Sequence, residues 1–87
     1  MNPARVVLKK QPQKYLEKVD NNTYRKIYAQ LTALENGTAI VNRLTDSDYY
    51  RVKIEQYRIM LKYNADDNTI TIYEINTRTN INYRRYM

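Results

Sequence analysis

The sequence predicts an α+β fold in which helices pack on one face of a small, mostly antiparallel sheet. Two observations carry this prediction. Apolar side chains recur with the helical period up to Gly37, the only glycine, and mostly with the strand period of two beyond it. The connections among the later strands are also too short for the crossovers that parallel neighbours need. The predicted order is one strand, two helices and then three or four strands (β-α-α-β-β-β, with 41–44 as a candidate further strand), and a possible short C-terminal helix.

The first part of the chain is predicted to hold one strand and two helices. Residues 5–9 form the strand, because an apolar run lies there between polar flanks. A short helix follows at 12–18, since proline suits the first helical turn and apolar residues then recur at helical spacing. After the break at 20–22, a second helix runs to Gly37. Its predicted core-facing stripe consists of Tyr24, Ile27, Tyr28, Leu31 and Leu34.

The second part of the chain is predicted to be a sheet. Residues 41–44 are a candidate strand, and alternating patterns predict further strands at 49–54, 57–63 and 69–75. The segment 64–68 between the last two is rich in turn residues. The tail 77–87 is compatible with either a short helix or an irregular arm.

Length and composition restrict the classes of protein to consider. The chain has 87 residues, predicted to form one domain over 1–87, and a net charge of +6. This charge favours a polyanionic partner, either nucleic acid or an acidic protein segment. Without cysteine or histidine there is neither a thiol nucleophile nor the usual general base. No segment is apolar enough to span a bilayer, so a cytoplasmic protein without a membrane partner is expected.

Four cations are predicted on one face of the hairpin formed by the strands at 49–54 and 57–63. With Glu55–Gln56 as a two-residue loop, Lys53 lies opposite Arg58, and Arg51 and Lys62 project from the same face. Opposed like charges destabilise a strand pair, and the acidic residues are expected in turns rather than on this face. The face is therefore predicted to bind a phosphate, with Lys62 among the substrate-binding residues. A solvated sheet face is the alternative.

Basic and aromatic residues alternate beyond the last strand. Interleaved arginine and tyrosine at 83–86 is typical of contacts to single-stranded nucleic acid. Arg84 and Arg85 are nevertheless expected in a frayed terminus, whereas Arg78 follows the strand closely enough to lean over the cationic face. Asp66 and Asp67 are interpreted as turn residues, and no metal site and no cofactor are predicted.

The chain resembles the RelE/ParE superfamily of bacterial toxins. The most specific part is Tyr-Arg-Val-Lys-Ile at 50–54 followed by Tyr-Arg-Ile at 57–59, and the similarity extends from the first strand to Arg78. The RelE branch implies a small sheet flanked by helices and a ribosome-dependent endoribonuclease. Such an enzyme cleaves mRNA in the A site through the mRNA's own 2′-hydroxyl, without a metal. The resemblance also implies an antitoxin partner whose acidic, partly disordered segment folds across the sheet.

The resemblance implies a role for each matching residue. Lys53 corresponds to the general base and Arg58 to the general acid, while Arg51 corresponds to a residue that binds and neutralises phosphate. Arg78 corresponds to an arginine that stabilises the transition state. Tyr83 corresponds to a tyrosine that stacks on or orients the substrate, although its spacing from Arg78 is one residue short. Glu55–Gln56 replaces the Gly-Asp often found at this hairpin.

Three functions remain open from the sequence. The first is the RelE-like mRNA interferase, whose partners are the ribosome, mRNA and an antitoxin. The second is a ParE-like poison of DNA gyrase, which performs no chemistry and would tolerate alanine at Lys53 and Arg58. The third is a basic RNA-binding or structural module without toxicity, which would bind RNA in a salt-dependent manner.

Overall fold

The computed structural model describes residues 2–87, and its elements confirm the predicted α+β order. The elements are β1 (Arg5–Leu8), α1 (Lys10–Lys18), α2 (Asn21–Asn36), β2 (Asn42–Arg43), β3 (Tyr49–Ile54), β4 (Tyr57–Asn64), β5 (Thr69–Thr77) and a 3-10 turn (Tyr83–Tyr86). The candidate strand at 41–44 is reduced to two paired residues. The ambiguous tail contains a single 3-10 turn rather than an α-helix. No helix among the described residues is long and apolar enough to cross a membrane.

The strands form one five-stranded sheet in the order β1-β5-β4-β3-β2. Strand β1 runs parallel to β5, and all other neighbours are antiparallel, so the sheet is mixed but mostly antiparallel as predicted. The β4–β5 pairing shifts register between Met60 and Leu61, which marks a β-bulge. The bulge interrupts the strict alternation of β5, so that Ile70, Ile72 and Ile75 all face the main core.

The main core lies between the two helices and one face of the sheet. Ile27 and Leu34 of α2 are fully buried, as are Ile59 and Leu61 of β4. Their partners from β3 and β5 in the same cluster are Val52, Ile54, Ile70, Ile72 and Ile75. The predicted apolar face of the hairpin is thus confirmed, and the opposite face of the sheet is left for the cationic residues.

The predicted core stripe of α2 is wrong at two positions. Tyr24 and Tyr28 are 40% and 51% exposed, whereas Thr23 of the same helix is buried. The two tyrosine rings stack on each other, with centroids 5.6 Å apart and planes 14° apart. The buried side of the helix is therefore rotated toward Thr23, and the two tyrosines shield each other while their hydroxyls remain accessible to water.

The hairpin loop between β3 and β4 has the predicted two residues. The Cα partners are Ile54 with Tyr57 and Lys53 with Arg58, as the two-residue loop requires. Glu55 adopts a φ of 52°, a left-handed value that glycine occupies more easily than any other residue. The Glu55 carboxylate also lies 2.8 Å from the ammonium of Lys26 on α2, so the loop is tied to the helical layer.

Changing Glu55 to glycine is expected to relieve the backbone cost of the left-handed position. In a Lys26→Ala background, where the ion pair is already absent, Glu55→Gly should raise the free energy of unfolding by about 1 kcal/mol. Urea unfolding of both proteins measures the difference. Glu55→Ala in the same background is the matched control, because it removes the carboxylate but keeps a Cβ. An equal effect of the two changes would contradict backbone strain at this position.

Candidate functional site

The predicted cationic face lies on the side of the sheet opposite the helices. Lys53 is directly opposite Arg58, and Arg51 is opposite Met60, which faces away from the main core. Among the residues described, the ion pairs within 4.0 Å are Lys26–Glu55 and Arg43–Asp48. None of the three hairpin cations is therefore neutralised by an acidic side chain.

Arg51 is the cation best placed to receive an anion. Its side chain is half-buried, and its Cζ lies 5.9 Å from the centre of the Tyr83 ring. Its Nε is buried and has no hydrogen-bond acceptor. A buried donor without an acceptor is costly, whereas the guanidinium group beside the Tyr83 ring is of the kind that binds phosphate. The structure thus brings together two of the three residues that were predicted to hold substrate, Arg51 and Tyr83.

Arg58 is a buried cation of the hairpin face that makes structural hydrogen bonds. The residue is only 8% exposed, and its Nη1 donates hydrogen bonds to the backbone oxygens of Glu55 and Tyr57, both at 2.7 Å. These bonds hold the backbone at the turn from the loop into β4. Because Nη1 makes both of them, the guanidinium has other donors with which to contact a phosphate. Lys53, directly opposite, is exposed and makes no comparable contact.

Arg78 lies beside the same hairpin loop. Its backbone N–H donates to the carbonyl oxygen of Gln56 at 2.6 Å, and its side chain is exposed. Arg78 follows Asn76, the β5 partner of Arg58, by two residues. A shallow cavity at this position is lined by Glu55, Gln56, Thr77, Arg78 and Thr79. Arg78 is therefore at the loop end of the sheet.

Lys62 is not part of this group. It follows Arg58 by four residues along β4, a separation of about 13 Å in an extended strand. Its Nζ lies 5.5 Å from the centre of the Tyr49 ring, toward the opposite end of the strand. The prediction that Arg51 and Lys62 share a face is confirmed, but Lys62 lies away from the Lys53–Arg58 pair.

The expectation that acidic residues are absent from this face is wrong. Glu74 on β5 pairs with Met60 on β4, faces the same side and is only 7% exposed. Its Oε1 accepts a hydrogen bond of 2.5 Å from the hydroxyl of Tyr86. Burial, and then the Glu74 carboxylate, raise the pKa of Tyr86 far above its usual range, so the hydroxyl stays protonated and donates.

The C-terminal segment is packed and not frayed, contrary to expectation. Ile81 and Tyr86 are buried against Met60 in a second apolar cluster. Arg84 and Arg85, in the same 3-10 turn, remain exposed. Sequence reasoning did not single out Glu74. It grouped Tyr86 with Tyr83 as a candidate contact to single-stranded nucleic acid, whereas the Tyr86 ring is buried. The three-residue interval between Ile72 and Ile75 was the available indication, because a bulge there moves Glu74 off the core face.

No group of three or more carboxylate, histidine or cysteine side chains that could hold a metal lies within residues 2–87. The arrangement consists instead of donors suited to phosphate oxygens beside a tyrosine ring suited to a base. Arg51 and Tyr83 lie side by side, and Lys53 and Arg58 lie on the same face of the hairpin.

The structure is similar to solved structures of toxin–antitoxin complexes. It matches a chain of the archaeal RelE–RelB complex from Pyrococcus horikoshii with a TM-score of 0.71 and 26% sequence identity, covering 90% of this chain and 98% of that chain. It matches the RelBE2 toxin–antitoxin complex of Mycobacterium tuberculosis with a TM-score of 0.71 and 13% identity, covering 92% and 97%. The Escherichia coli RelBE complex matches with a TM-score of 0.71 and 15% identity, covering 85% and 95%.

Comparisons with protein-family profiles and with curated proteins find no match. The similarity is therefore one of three-dimensional structure, and it extends over nearly the full length of each matched chain.

Proposed function

Since the chain has the RelE-like fold that its sequence predicts, we propose that it is the toxin of a type II toxin–antitoxin pair and an mRNA interferase. In this proposal it enters the ribosomal A site and cleaves mRNA there, which inhibits translation. The observation that carries the proposal is the hairpin face. Lys53, Arg58 and Arg51 lie together without an acidic partner, and the buried Nε of Arg51 has no acceptor.

The proposed reaction uses the 2′-hydroxyl of the RNA as the nucleophile. Lys53 takes the proton of this hydroxyl, and the 2′-oxygen attacks the adjacent phosphorus. The bond from phosphorus to the 5′-oxygen breaks, and Arg58 serves as the acid for the leaving oxygen. Since arginine gives up a proton with great difficulty, its larger contribution is to stabilise the charge that develops on the phosphorane. The products are a 2′,3′-cyclic phosphate and a free 5′-hydroxyl.

The remaining site residues hold the substrate in this scheme. Arg51 binds the phosphate through its guanidinium, and Tyr83 stacks on a base beside it. Arg78 approaches from the loop end of the sheet and stabilises the transition state. No cofactor or metal takes part in the proposed reaction. Lys62, given its distance along β4, can contact only the RNA outside the reacting nucleotides.

The proposed protein partner is a cognate antitoxin with an acidic, partly disordered segment. Three observations support it: the matched solved structures are toxin–antitoxin complexes, the net charge is +6, and the hairpin cations lack acidic partners. A segment that folds over these cations would block access of RNA to the site.

Mapping the 5′ ends of cellular mRNAs tests the proposed function. Cells that express the protein should accumulate 5′ ends inside translated codons at a fixed position in the reading frame. Arg78→Ala should remove these ends, because the exposed side chain contributes to the reaction while the backbone bond that holds the segment is retained. Lys18→Ala is the matched control, since it removes one exposed cation from α1 in the helical layer.

Intact mRNA in cells that have stopped growing would contradict the nuclease proposal. If the growth arrest also survives alanine at both Lys53 and Arg58, a DNA gyrase target becomes the function to assay. Normal growth on overexpression would instead indicate a basic binding module. If cleavage persists in Arg78→Ala, the nuclease proposal stands but Arg78 has no part in the reaction.

A further inference from the structure

We infer that Glu74 and Tyr86 form a positioning pair, whose hydrogen bond fastens the 3-10 turn to the sheet and thereby holds Tyr83 over Arg51. Its consequence for catalysis rests on the proposed function, whereas the contact itself can be tested independently. Neither residue touches the predicted reacting groups, so both act through Tyr83.

The bond between the two side chains is buried and short. Glu74 is 7% exposed and Tyr86 is 5% exposed, and their oxygens lie 2.5 Å apart. A hydroxyl that donates to a carboxylate is among the stronger hydrogen bonds in proteins. The other carboxylate oxygen of Glu74 has only a long contact of 3.4 Å with the Asn76 amide. Tyr86 is therefore the principal partner of a buried carboxylate.

Further contacts fix the position of Tyr86. Its ring meets that of Tyr49 edge to face, with centroids 4.9 Å apart and planes at 73°. Its backbone oxygen accepts a hydrogen bond from Ser47, whose Oγ also accepts one from the backbone N–H of Tyr49. Met60 lies fully buried in the same cluster. Tyr86 thus connects β5 with the loop that precedes β3.

The positions of the Tyr83 and Tyr86 side chains are related because both belong to the same 3-10 turn. The four residues Tyr83–Tyr86 form one 3-10 turn, in which side chains three positions apart project in the same direction. The placement of the Tyr86 ring therefore determines where the Tyr83 ring lies. The centre of the Tyr83 ring lies 5.9 Å from Cζ of Arg51, and the ring is half-buried against the apolar cluster that contains Tyr86.

Tyr86→Phe is the variant that tests the pair, because it removes the hydroxyl and keeps the ring. We expect the NMR contact between the Tyr83 ring and the Arg51 side chain to weaken, and kcat/KM for mRNA cleavage on ribosomes to fall about tenfold or more. Tyr63→Phe is the matched control, since it removes a tyrosine hydroxyl that bonds to Asn68 at 2.9 Å on the same sheet. Circular dichroism verifies that both variants remain folded.

Glu74 offers a second test and a rescue. Glu74→Gln keeps an oxygen that can accept from Tyr86 and should retain most of the Tyr83 contact and of the activity. Glu74→Leu has no acceptor and should resemble Tyr86→Phe. If Glu74→Gln and Glu74→Leu lose activity equally while the Tyr83 contact persists in both, the positioning pair is refuted.

A double variant separates positioning from a general loss of stability. If Tyr86 acts through Tyr83, Tyr83→Ala combined with Tyr86→Phe should cleave no more slowly than Tyr83→Ala alone. Multiplied losses would overturn the inference, as would an unchanged Tyr83–Arg51 contact in Tyr86→Phe. If the unmodified protein cleaves no RNA, the proposed function fails, and the NMR contact alone still decides the positioning pair.

Discussion

Lys53→Ala is expected to lower the rate of mRNA cleavage on ribosomes by about 10²- to 10⁴-fold, the range typical for loss of a general acid or base. The side chain is exposed and forms none of the ion pairs seen among residues 2–87. Its removal should leave the free energy of unfolding within about 0.5 kcal/mol of the original value. Single-turnover cleavage with saturating protein measures the chemical step separately from binding.

Two variants sharpen this result. Lys53→Arg keeps the positive charge but removes a group that can become neutral, so it should be as inactive as Lys53→Ala if Lys53 is the base. Lys18→Ala removes a cation of the helical layer and should cleave normally. Full activity in Lys53→Arg would show that Lys53 contributes only charge, and full activity in Lys53→Ala would exclude it from the reaction.

Arg58→Ala is expected to lose both cleavage and stability. The two hydrogen bonds from Nη1 to the loop carbonyls are made by a charged, buried group, and their loss should lower the free energy of unfolding by about 2–3 kcal/mol. If the proposed reaction holds, cleavage should fall by at least about 10²-fold, because that reaction assigns Arg58 to stabilising the transition state. Urea unfolding and single-turnover cleavage measure the two losses separately.

Comparison with the Lys53→Ala variant separates the loss of cleavage in Arg58→Ala from its loss of stability. Lys53 is the cross-strand partner of Arg58, yet Lys53→Ala should lose cleavage activity without a loss of stability. An Arg58→Ala protein that unfolds at the same urea concentration as the original would contradict the structural role of Arg58. Because Arg58→Ala is expected to be less stable, its inactivity at a single temperature does not by itself show that Arg58 takes part in the reaction.

Local patterns were sufficient to predict most of the fold. Strand alternation predicted β3, β4 and their register, because the two-residue loop leaves a pairing in which the alternating apolar side chains of both strands face the main core together. These are Tyr50, Val52, Ile54, Tyr57, Ile59 and Leu61. Helical spacing located α2, and its end at Gly37 follows from the left-handed φ of 77° there. The exposure of Tyr24 and Tyr28 was not predictable, because it depends on how far α2 is rotated against the sheet.

The site residues that belong to the β3–β4 hairpin could be predicted from the sequence. Those contributed by other segments could not. Arg51, Lys53 and Arg58 follow from a single register, and the structure confirms that they share a face. The approach of Tyr83 to Arg51 was expected only from the family resemblance, since it requires the path of the tail. Glu74 was missed because a bulge in β5 reverses the side on which it lies.

The parallel pairing of β1 with β5 has a consequence for the newly made protein. Arg5 pairs with Thr69, 64 residues later, and β5 is an inner strand that separates β1 from the rest of the sheet. Contacts between such distant residues form late, because much of the chain must be synthesised first. Until β5 leaves the ribosome, β1 has no neighbour and Tyr86 has no anchor. A polypeptide released before β5 is complete therefore exposes unpaired strands and lacks the assembled site.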